Sequence, residues 1–402
     1  MENITHALKG AIVRDPEITI IGGGPIGCLT ALCLARTLPE TRVIRLITGR
    51  RTPPEDGRSA ALVGRSMAIL RELGLEGAFR QNGAPLAGIR IIDVTGRLIR
   101  APTTLFHASD AGQSDFGVSL STARIVSLLM DAIGQCGQIQ VLSLDITAIQ
   151  RSEGGFSLID DADSTHHAPF VIAADGQRSL IREAAGIPVR RWSYPQAALT
   201  FAVRHALDHE DISTEFHTAD GPFTLVPAGE RASTVVWMTR PDEAERLLAL
   251  DDGAFARAAE RVCRSLLGKF TLESARGCYP MGGLMAERFT APGLALVGET
   301  GHAFPPIGAQ GMNLGFRDAD TLAQACSTAF AAGAQHLTQD HLASWDMGRR
   351  RDAGLRTAGV DAFNRSLLSD LLPVAAARSI GLKALGSIAP LRRAVMRAGL
   401  AE

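Results

Sequence analysis

The run Ile18–Ala35, "ITIIGGGPIGCLTALCLA", decides how the rest of the chain is read. It is free of charge, and by length it could pass for a membrane span or the apolar core of a signal. Three consecutive glycines and a proline near its middle argue against a continuous helix in lipid. The lead "MENITHALKGAIVRDPE" is polar and contains acids, unlike a signal n-region. The better reading is strand, tight turn, helix. "EITII" (Glu17–Ile21) is rich in β-branched residues and reads as a buried strand. Gly22-Gly23-Gly24-Pro25-Ile26-Gly27 then spells G-x-G-x-x-G. "PIGCLTALCLARTL" reads as a helix and "RVIRLIT" (Arg42–Thr48) as the next strand, which closes a βαβ unit. In such a turn Gly22 permits the bend, Gly24 lets backbone approach a pyrophosphate, and Gly27 lets helix pack on strand. The helix N-terminus offers free N–H groups to the phosphates.

Composition narrows the field. The chain has 402 residues, with 41 Lys plus Arg against 42 Asp plus Glu, so there is no electrostatic case for nucleic acid. Hydrophobic residues make up 46%, which fits a globular chain with a nucleotide domain and an attached substrate domain. Cys28, Cys33, Cys136, Cys263, Cys278 and Cys326 show no CxxC and no regular spacing. They read as reduced core residues of a cytosolic protein.

Beyond the first unit, "RSAALVGRSMAILRELGL" (Arg58–Leu75) carries a helical period. "GIRIIDV" and "GRLIR" (Gly88–Arg100) look like a hairpin. Ser121–Gln135 reads as a helix with Ser121 as N-cap. "IQVLSLDITAIQ" and "GFSLID" read as two strands joined across Glu153–Gly154. "PFVIAADG" (Pro169–Gly176) is another buried strand. Between Arg190 and Met238 the pattern turns to β-runs, which predicts an inserted antiparallel sheet. Helices follow at Glu243–Leu250 and Gly253–Leu267, and the chain is mostly helical from Gly311 onward.

Two further turns carry chemistry. "AADGQRSLIR" holds Asp175, Gly176, Ser179 and Arg182. "VGETGHAFPPIGAQGMNLG" (Val297–Gly315) follows the strand-like "LALVG". Glu299 and His302 in it lie on a Gly/Pro loop with no third ligand in view, so no metal is expected. At the end of the second strand a dinucleotide fold usually keeps a ribose-binding acid. Here that place is Thr48, whose hydroxyl is the weaker partner. Arg50 and Arg51 open the alternative of a 2′-phosphate, and hence NADP, in this site.

Together the three turns resemble those of the FAD-dependent group A flavoprotein monooxygenases, built on the p-hydroxybenzoate hydroxylase fold. The resemblance covers nearly the whole chain. Within that group the chain is similar to the ubiquinone-biosynthesis hydroxylases, on "RSAALVGRSMAILRELGL", "HAFPPIGAQGMNLGFRDAD" and the end "NRSLLSDLLP…PLRRAVMRAGL". The resemblance implies an α/β fold. Its FAD-binding, Rossmann-like domain of glutathione-reductase type would come from 1–85, 111–188 and 281–368. An inserted antiparallel substrate sheet would come from 86–110 and 189–280, and a helical tail from 369–402. It implies cofactor contacts at Gly22, Gly24, Gly27, Thr48, Arg58, Arg124, Asp175, Gly176, Gly298, Glu299, Pro306, Gln310, Gly311, Met312 and Asn313. Glu299 stands where relatives keep an aspartate.

The implied chemistry is hydroxylation of the aromatic ring of a polyprenylated ubiquinone precursor. FAD is the cofactor, NAD(P)H a transient co-substrate and O2 the oxidant, through a flavin hydroperoxide. No residue is assigned a catalytic role. Tyr194, Gln196 and Pro306 are the candidate substrate contacts. The rival readings are a soluble aromatic hydroxylase, an FAD-dependent prenyl reductase, or a flavin-poor scaffold of a quinone-biosynthesis complex. The tail from Leu371 to Glu402 carries Arg378, Lys383, Arg392, Arg393 and Arg397. It reads equally as a helix covering the FAD domain and as a surface for anionic lipid at the inner face of the cell membrane.

Overall fold

A computed structural model describes residues 16–50, 57–96, 100–305 and 310–368. The expected helical tail (369–402), Pro306 and Arg51 lie outside the described residues. The chain opens with β1 (Ile18–Ile21), α1 (Pro25–Thr37) and β2 (Ile44–Thr48), as the glycine pattern predicts. Residues Arg58–Leu75 depart from the expected single helix. They form β3 (Ser59–Val63) and α2 (Arg65–Glu72). Gly64 at φ +53° breaks the run, and β3 pairs antiparallel with the later strand Gly117–Ser121. The apolar spacing of "SAALV" serves a period of two as well as one of 3.6, and the partner strand decides.

Next come α3 (Glu76–Asn82), β4 (Ala84–Pro85), β5 (Gly88–Asp93), β6 (Thr104–His107) and β7 (Gly117–Ser121). The antiparallel partner of β5 is β6 rather than the expected Gly96–Arg100, part of which lies outside the described residues. Asp93 organises this connection by accepting from Thr95 N at 3.0 Å and Ala101 N at 3.0 Å. Helix α4 (Thr122–Gly134) is capped as predicted, with Arg124 N donating to Ser121 Oγ at 3.2 Å.

The expected long strand at Ile139–Gln150 is broken at Leu144–Asp145 into β8 (Ile139–Ser143) and β9 (Ile146–Ser152). Strand β8 joins β2 in parallel, whereas β9 starts a meander with β10 (Gly155–Asp160) and β11 (Thr165–Ala168). Then follow β12 (Phe170–Ala173), α5 (Leu180–Ala184), the long β13 (Val189–His205), β14 (Ile212–His217), β15 (Pro222–Gly229), β16 (Ala232–Thr239), α6 (Pro241–Leu248) and α7 (Asp252–Val262). The chain returns through β17 (Phe270–Leu272), β18 (Gly277–Ala286), β19 (Thr290–Ala291), β20 (Leu294–Leu296) and β21 (His302–Ala303). The described residues end in α8 (Gln310–Ala331) and α9 (Ala343–Leu368).

Among the described residues, the nucleotide-type sheet has the order β19-β20-β12-β1-β2-β8, parallel apart from the β19 edge. Its centre is buried on both faces, which is why β1 and β12 read as unbroken apolar runs. The second large sheet runs β21-β18-β13-β16-β15-β14-β5-β6, with β17 on β13. It is antiparallel as predicted except for the parallel pair β5–β14. One face packs Phe201, Phe216, Phe223 and Trp237 against Phe255, Ala259 and Leu247 of α6 and α7. The other face carries Ala198, Met238 and Met281, packed with Tyr194 and with Val360 of α9.

Candidate dinucleotide and substrate site

The first turn is built as its glycines predict. Gly22 sits at φ +126°, and a side chain there or at Gly27 would run into the backbone of Ala174 or Gly22. Gly24 is different, because a Cβ added there would meet no protein atom within 4 Å. It is the N-cap of α1, which has no side-chain cap and no acid in its first turn. The free N–H groups of that turn therefore face open space with a positive dipole end, an arrangement suited to a pyrophosphate.

At the end of β2, Thr48 packs on the same turn. A Cβ on Gly23 would lie 2.7 Å from Thr48 Cβ, and the Thr48 hydroxyl reaches only the Leu142 carbonyl at 3.5 Å. Asp145 comes in from the β8–β9 corner. Its Oδ1 accepts from Arg50 N at 3.2 Å and lies 3.1 Å from where a Gly49 Cβ would be. Arg50 pairs with Asp161 at 2.8 Å. Gly22, Gly49, Asp145 and Asp175 line one cleft of ≈ 170 Å³ at the carboxyl ends of the strands, where α/β sheets bind their ligands.

The other two turns are joined to each other. Thr300 Oγ1 accepts from Gly176 N at 3.1 Å and lies 3.4 Å from Asp175 Oδ1. Burial raises the Asp175 carboxyl above the usual carboxylate range. Arg182, only 1% exposed, donates to the carbonyls of Thr300 at 2.8 Å and Gln177 at 3.0 Å. Glu299 is exposed and is reached by Gln177 Nε2 at 3.3 Å. His302 turns inward, with Nε2 2.6 Å from Asp318 Oδ2. The same carboxylate accepts from Gly298 N at 2.9 Å and from Arg349 Nε at 2.7 Å. Burial alone would raise the Asp318 carboxyl, but His302 and Arg349 outweigh it and hold it below the usual range.

Helix α8 starts at Gln310, with no acid in its first turn. Gly311 is exposed and open, with no protein atom within 4 Å of an added Cβ. Asn313 is nearly buried and hooks this turn to β3. Its Oδ1 accepts from Val63 N at 3.1 Å, and its Nδ2 donates to Ala61 O at 2.8 Å. Met312 packs against the main core, and Gln310 Oε1 accepts from Arg356 at 2.9 Å. The Arg58 guanidinium lies 5.7 Å from the Tyr279 ring centre, across from the second sheet. Arg124 hydrogen-bonds Asn82 and Ser127 rather than another of the expected cofactor residues.

Tyr194 and Gln196 lie on β13, against the last turns of α9. Tyr194 donates to Asp361 at 2.7 Å and accepts from Trp192 Nε1 at 2.8 Å. Gln196 donates to Asp220 O at 2.7 Å and accepts from Asn364 Nδ2 at 2.9 Å. Both side chains are thus engaged in holding α9 on the sheet.

Sequence reasoning missed Thr300, Asp318, Arg349 and the corner at Asp145. A signal existed for Asp318, a carboxylate in the apolar stripe "LGFRDADTLAQAC" beside Phe316 and Ala319, which are both fully buried. The other partners come from remote segments and leave no local mark. The geometry offers two open helix starts rich in N–H donors, at Gly24 and Gly311, and a cleft at the strand ends lined by Gly22, Gly49, Asp145 and Asp175. It suits a dinucleotide laid across the strand ends.

Comparison with known proteins agrees. The family model described as FAD binding domain matches residues 15–342. The chain is 30% identical over 400 residues to the ubiquinone hydroxylase UbiL of Rhodospirillum rubrum, covering 98% of this chain and 91% of that one. It is 26% identical to the 3-demethoxyubiquinol 3-hydroxylase of Escherichia coli, covering 96% and 99%. Among solved structures, p-nitrophenol 4-monooxygenase PnpA of Pseudomonas putida superposes with a TM-score of 0.80 at 17% identity, covering 96% and 98%. PqsL of P. aeruginosa does so with 0.74 at 20%, covering 92% and 100%. The open glycine turns, the cleft at the strand ends and these likenesses converge: the chain belongs to the FAD-binding-domain family and is an FAD-dependent monooxygenase on the p-hydroxybenzoate hydroxylase fold.

Proposed function

We propose that the chain hydroxylates the aromatic ring of a polyprenylated ubiquinone precursor. The observation that carries this reading is the near-full-length likeness to UbiL, which extends through the second sheet as well as the FAD-binding segments. The balance is ring C–H plus O2, NAD(P)H and a proton, giving ring C–OH, water and NAD(P)+. Bound FAD supplies the redox chemistry. The protein binds, orients and shields. The first turn of α1 holds the pyrophosphate through Gly24 and its N–H groups. Thr48, Asp175, Gly176, Gly298 and Glu299 are the residues that would hold FAD between its adenosine and its ribityl chain. The first turn of α8, from Gln310 to Asn313, has N–H groups that would face the ring of bound FAD and favour negative charge there. Ala198, Met238 and Met281 form an apolar layer buried between the second sheet and α9, and the ring substrate would sit beside this layer, which would keep water away.

Tyr194 is no general base in this scheme. Burial pushes its hydroxyl up to about 12, and Asp361 takes its proton as a hydrogen bond. The polyprenyl tail of such a substrate lives in a bilayer, so the same reading sets the protein against a membrane surface, within or beside a quinone-biosynthesis complex. Among the described residues no helix is long and apolar enough to cross a membrane, so the contact proposed is peripheral.

The test uses purified, FAD-loaded protein with a short-chain prenylphenol, NAD(P)H and 18O2. The expected product carries one labelled oxygen on the ring. NAD(P)H consumption with a saturated prenyl chain and no oxygen uptake would mean a prenyl reductase. A colourless protein that takes up no FAD would mean a scaffold.

A further inference from the structure

We propose that Asp145 supplies the carboxylate that binds the adenosine ribose of FAD, replacing the acid that the end of β2 lacks. This rests on the FAD site alone and not on the choice of ring substrate. Thr48 occupies the usual acid position, but its hydroxyl points at the Leu142 carbonyl and its Cβ is spent on Gly23. One strand over, the parallel pairing of β2 with β8 ends at Thr48–Ser143, and the chain turns at Leu144–Asp145. That turn is pinned by Leu144 N on Thr48 O at 3.0 Å and by Asp161 N on Asp145 O at 3.0 Å. It delivers Asp145 beside Gly49, the residue directly after Thr48.

Asp145 Oδ1 takes the Arg50 N–H at 3.2 Å. The carboxylate is half-buried on the wall of the cleft that also bares Gly22 and Asp175. A glycine at 49 leaves the carboxylate uncovered where a side chain would crowd it. The ribose of a dinucleotide whose pyrophosphate sits at Gly24 comes to this end of the crevice, and its hydroxyls need an acceptor.

Charge separates this from the NADP alternative. A carboxylate accepts from free ribose hydroxyls but repels a 2′-phosphate. Arg50, one of the two cations that could have welcomed such a phosphate, is paired with Asp161 at 2.8 Å. The site therefore selects an adenosine with an unmodified ribose.

The test titrates apoprotein with FAD, read by quenching of flavin fluorescence, and follows thermal protection by ADP and by 2′-phospho-ADP. Asp145→Asn keeps an oxygen for Arg50 N and removes the charge. Its FAD affinity should fall about tenfold, its unliganded melt should match wild type, and protection by 2′-phospho-ADP should rise relative to ADP. A D145N protein within twofold of wild type for FAD overturns the proposal. Wild-type protein gives a second, variant-free measurement. It should prefer ADP over 2′-phospho-ADP by about tenfold or more, and equal or reversed preference overturns the assignment. Failure of wild type to bind FAD at all would overturn the cofactor reading with it.

Discussion

Gly24 and Gly27 are three positions apart and have opposite surroundings. Gly27 faces the Gly22 carbonyl, whereas Gly24 faces nothing the protein supplies. Gly27→Ala should therefore cost the apoprotein about 2 kcal/mol through overpacking, seen as a lower denaturant midpoint. Gly24→Val should leave the apoprotein melt near wild type and lower FAD affinity by about tenfold or more, measured by flavin quenching. Asp318 is a stability residue of the same loop. It gathers His302, Arg349 and Gly298 N around one buried carboxylate. Asp318→Asn takes from the buried Arg349 one of its two counter-charges, leaving Asp352 at 2.7 Å, and should cost about 3 kcal/mol. The pH sign follows from the depressed carboxyl: the unfolded chain binds this proton more readily than the folded one. The contribution is full above the ordinary carboxylate value of about 3.9 and is lost as pH falls through the lower folded value. Wild type should thus lose stability more steeply below about pH 4 than D318N, in melts taken across that window.

At the scale of elements, what the sequence made legible was what glycine and β-branched runs enforce locally. The β1–turn–α1 unit, the Ser121 cap and the start of α8 follow from residues next to one another. The β3–α2 break and the β8–β9 corner did not, because "SAALV" and "VLSLDITAI" suit either reading until a partner strand is known. Strand β7 claims Ser59–Val63, and β2 lets go of the chain after Ser143. The same limit hid the neighbour of Thr48, since Asp145 is distant in sequence. Asn313 shows an element-scale consequence. Its amide imitates a strand partner for β3, so the first turn of α8, proposed to face the flavin, is held by two hydrogen bonds to Ala61 and Val63. Asn313→Ala should cost about 2 kcal/mol for the pair. It should also weaken FAD binding, because the turn is no longer fixed before the cofactor arrives. Chemical denaturation and flavin titration read the two effects separately.

At the scale of the whole molecule, α9 is the strut between the two large sheets. Its first turns enter the main core through Trp345, and Arg349 grips Asp318. Its last turns reach the second sheet, where Asp361 meets Tyr194, Asn364 meets Gln196, and Val360 packs among Ala198, Met238 and Met281. The helix that braces the cofactor loop therefore also braces the wall proposed for the substrate ring, so the distance between flavin and ring depends on both ends holding. The hydroxyl of Tyr194, pushed up to about 12, stays a donor across the working pH range, and the joint should not respond to pH there. Tyr194→Phe removes the donor to Asp361 and the acceptor for Trp192 Nε1 while keeping the ring. The expected global cost is about 1–2 kcal/mol, with FAD affinity unchanged because Tyr194 does not line the cleft at the strand ends. A looser wall admits water and lets the ring drift from the flavin, so a larger share of NAD(P)H electrons should end as hydrogen peroxide. Comparing peroxide release with ring hydroxylation in wild type and Y194F decides it. Unchanged coupling together with increased proteolysis at the end of α9 would mean that the strut stabilises the fold without setting the geometry of the reaction.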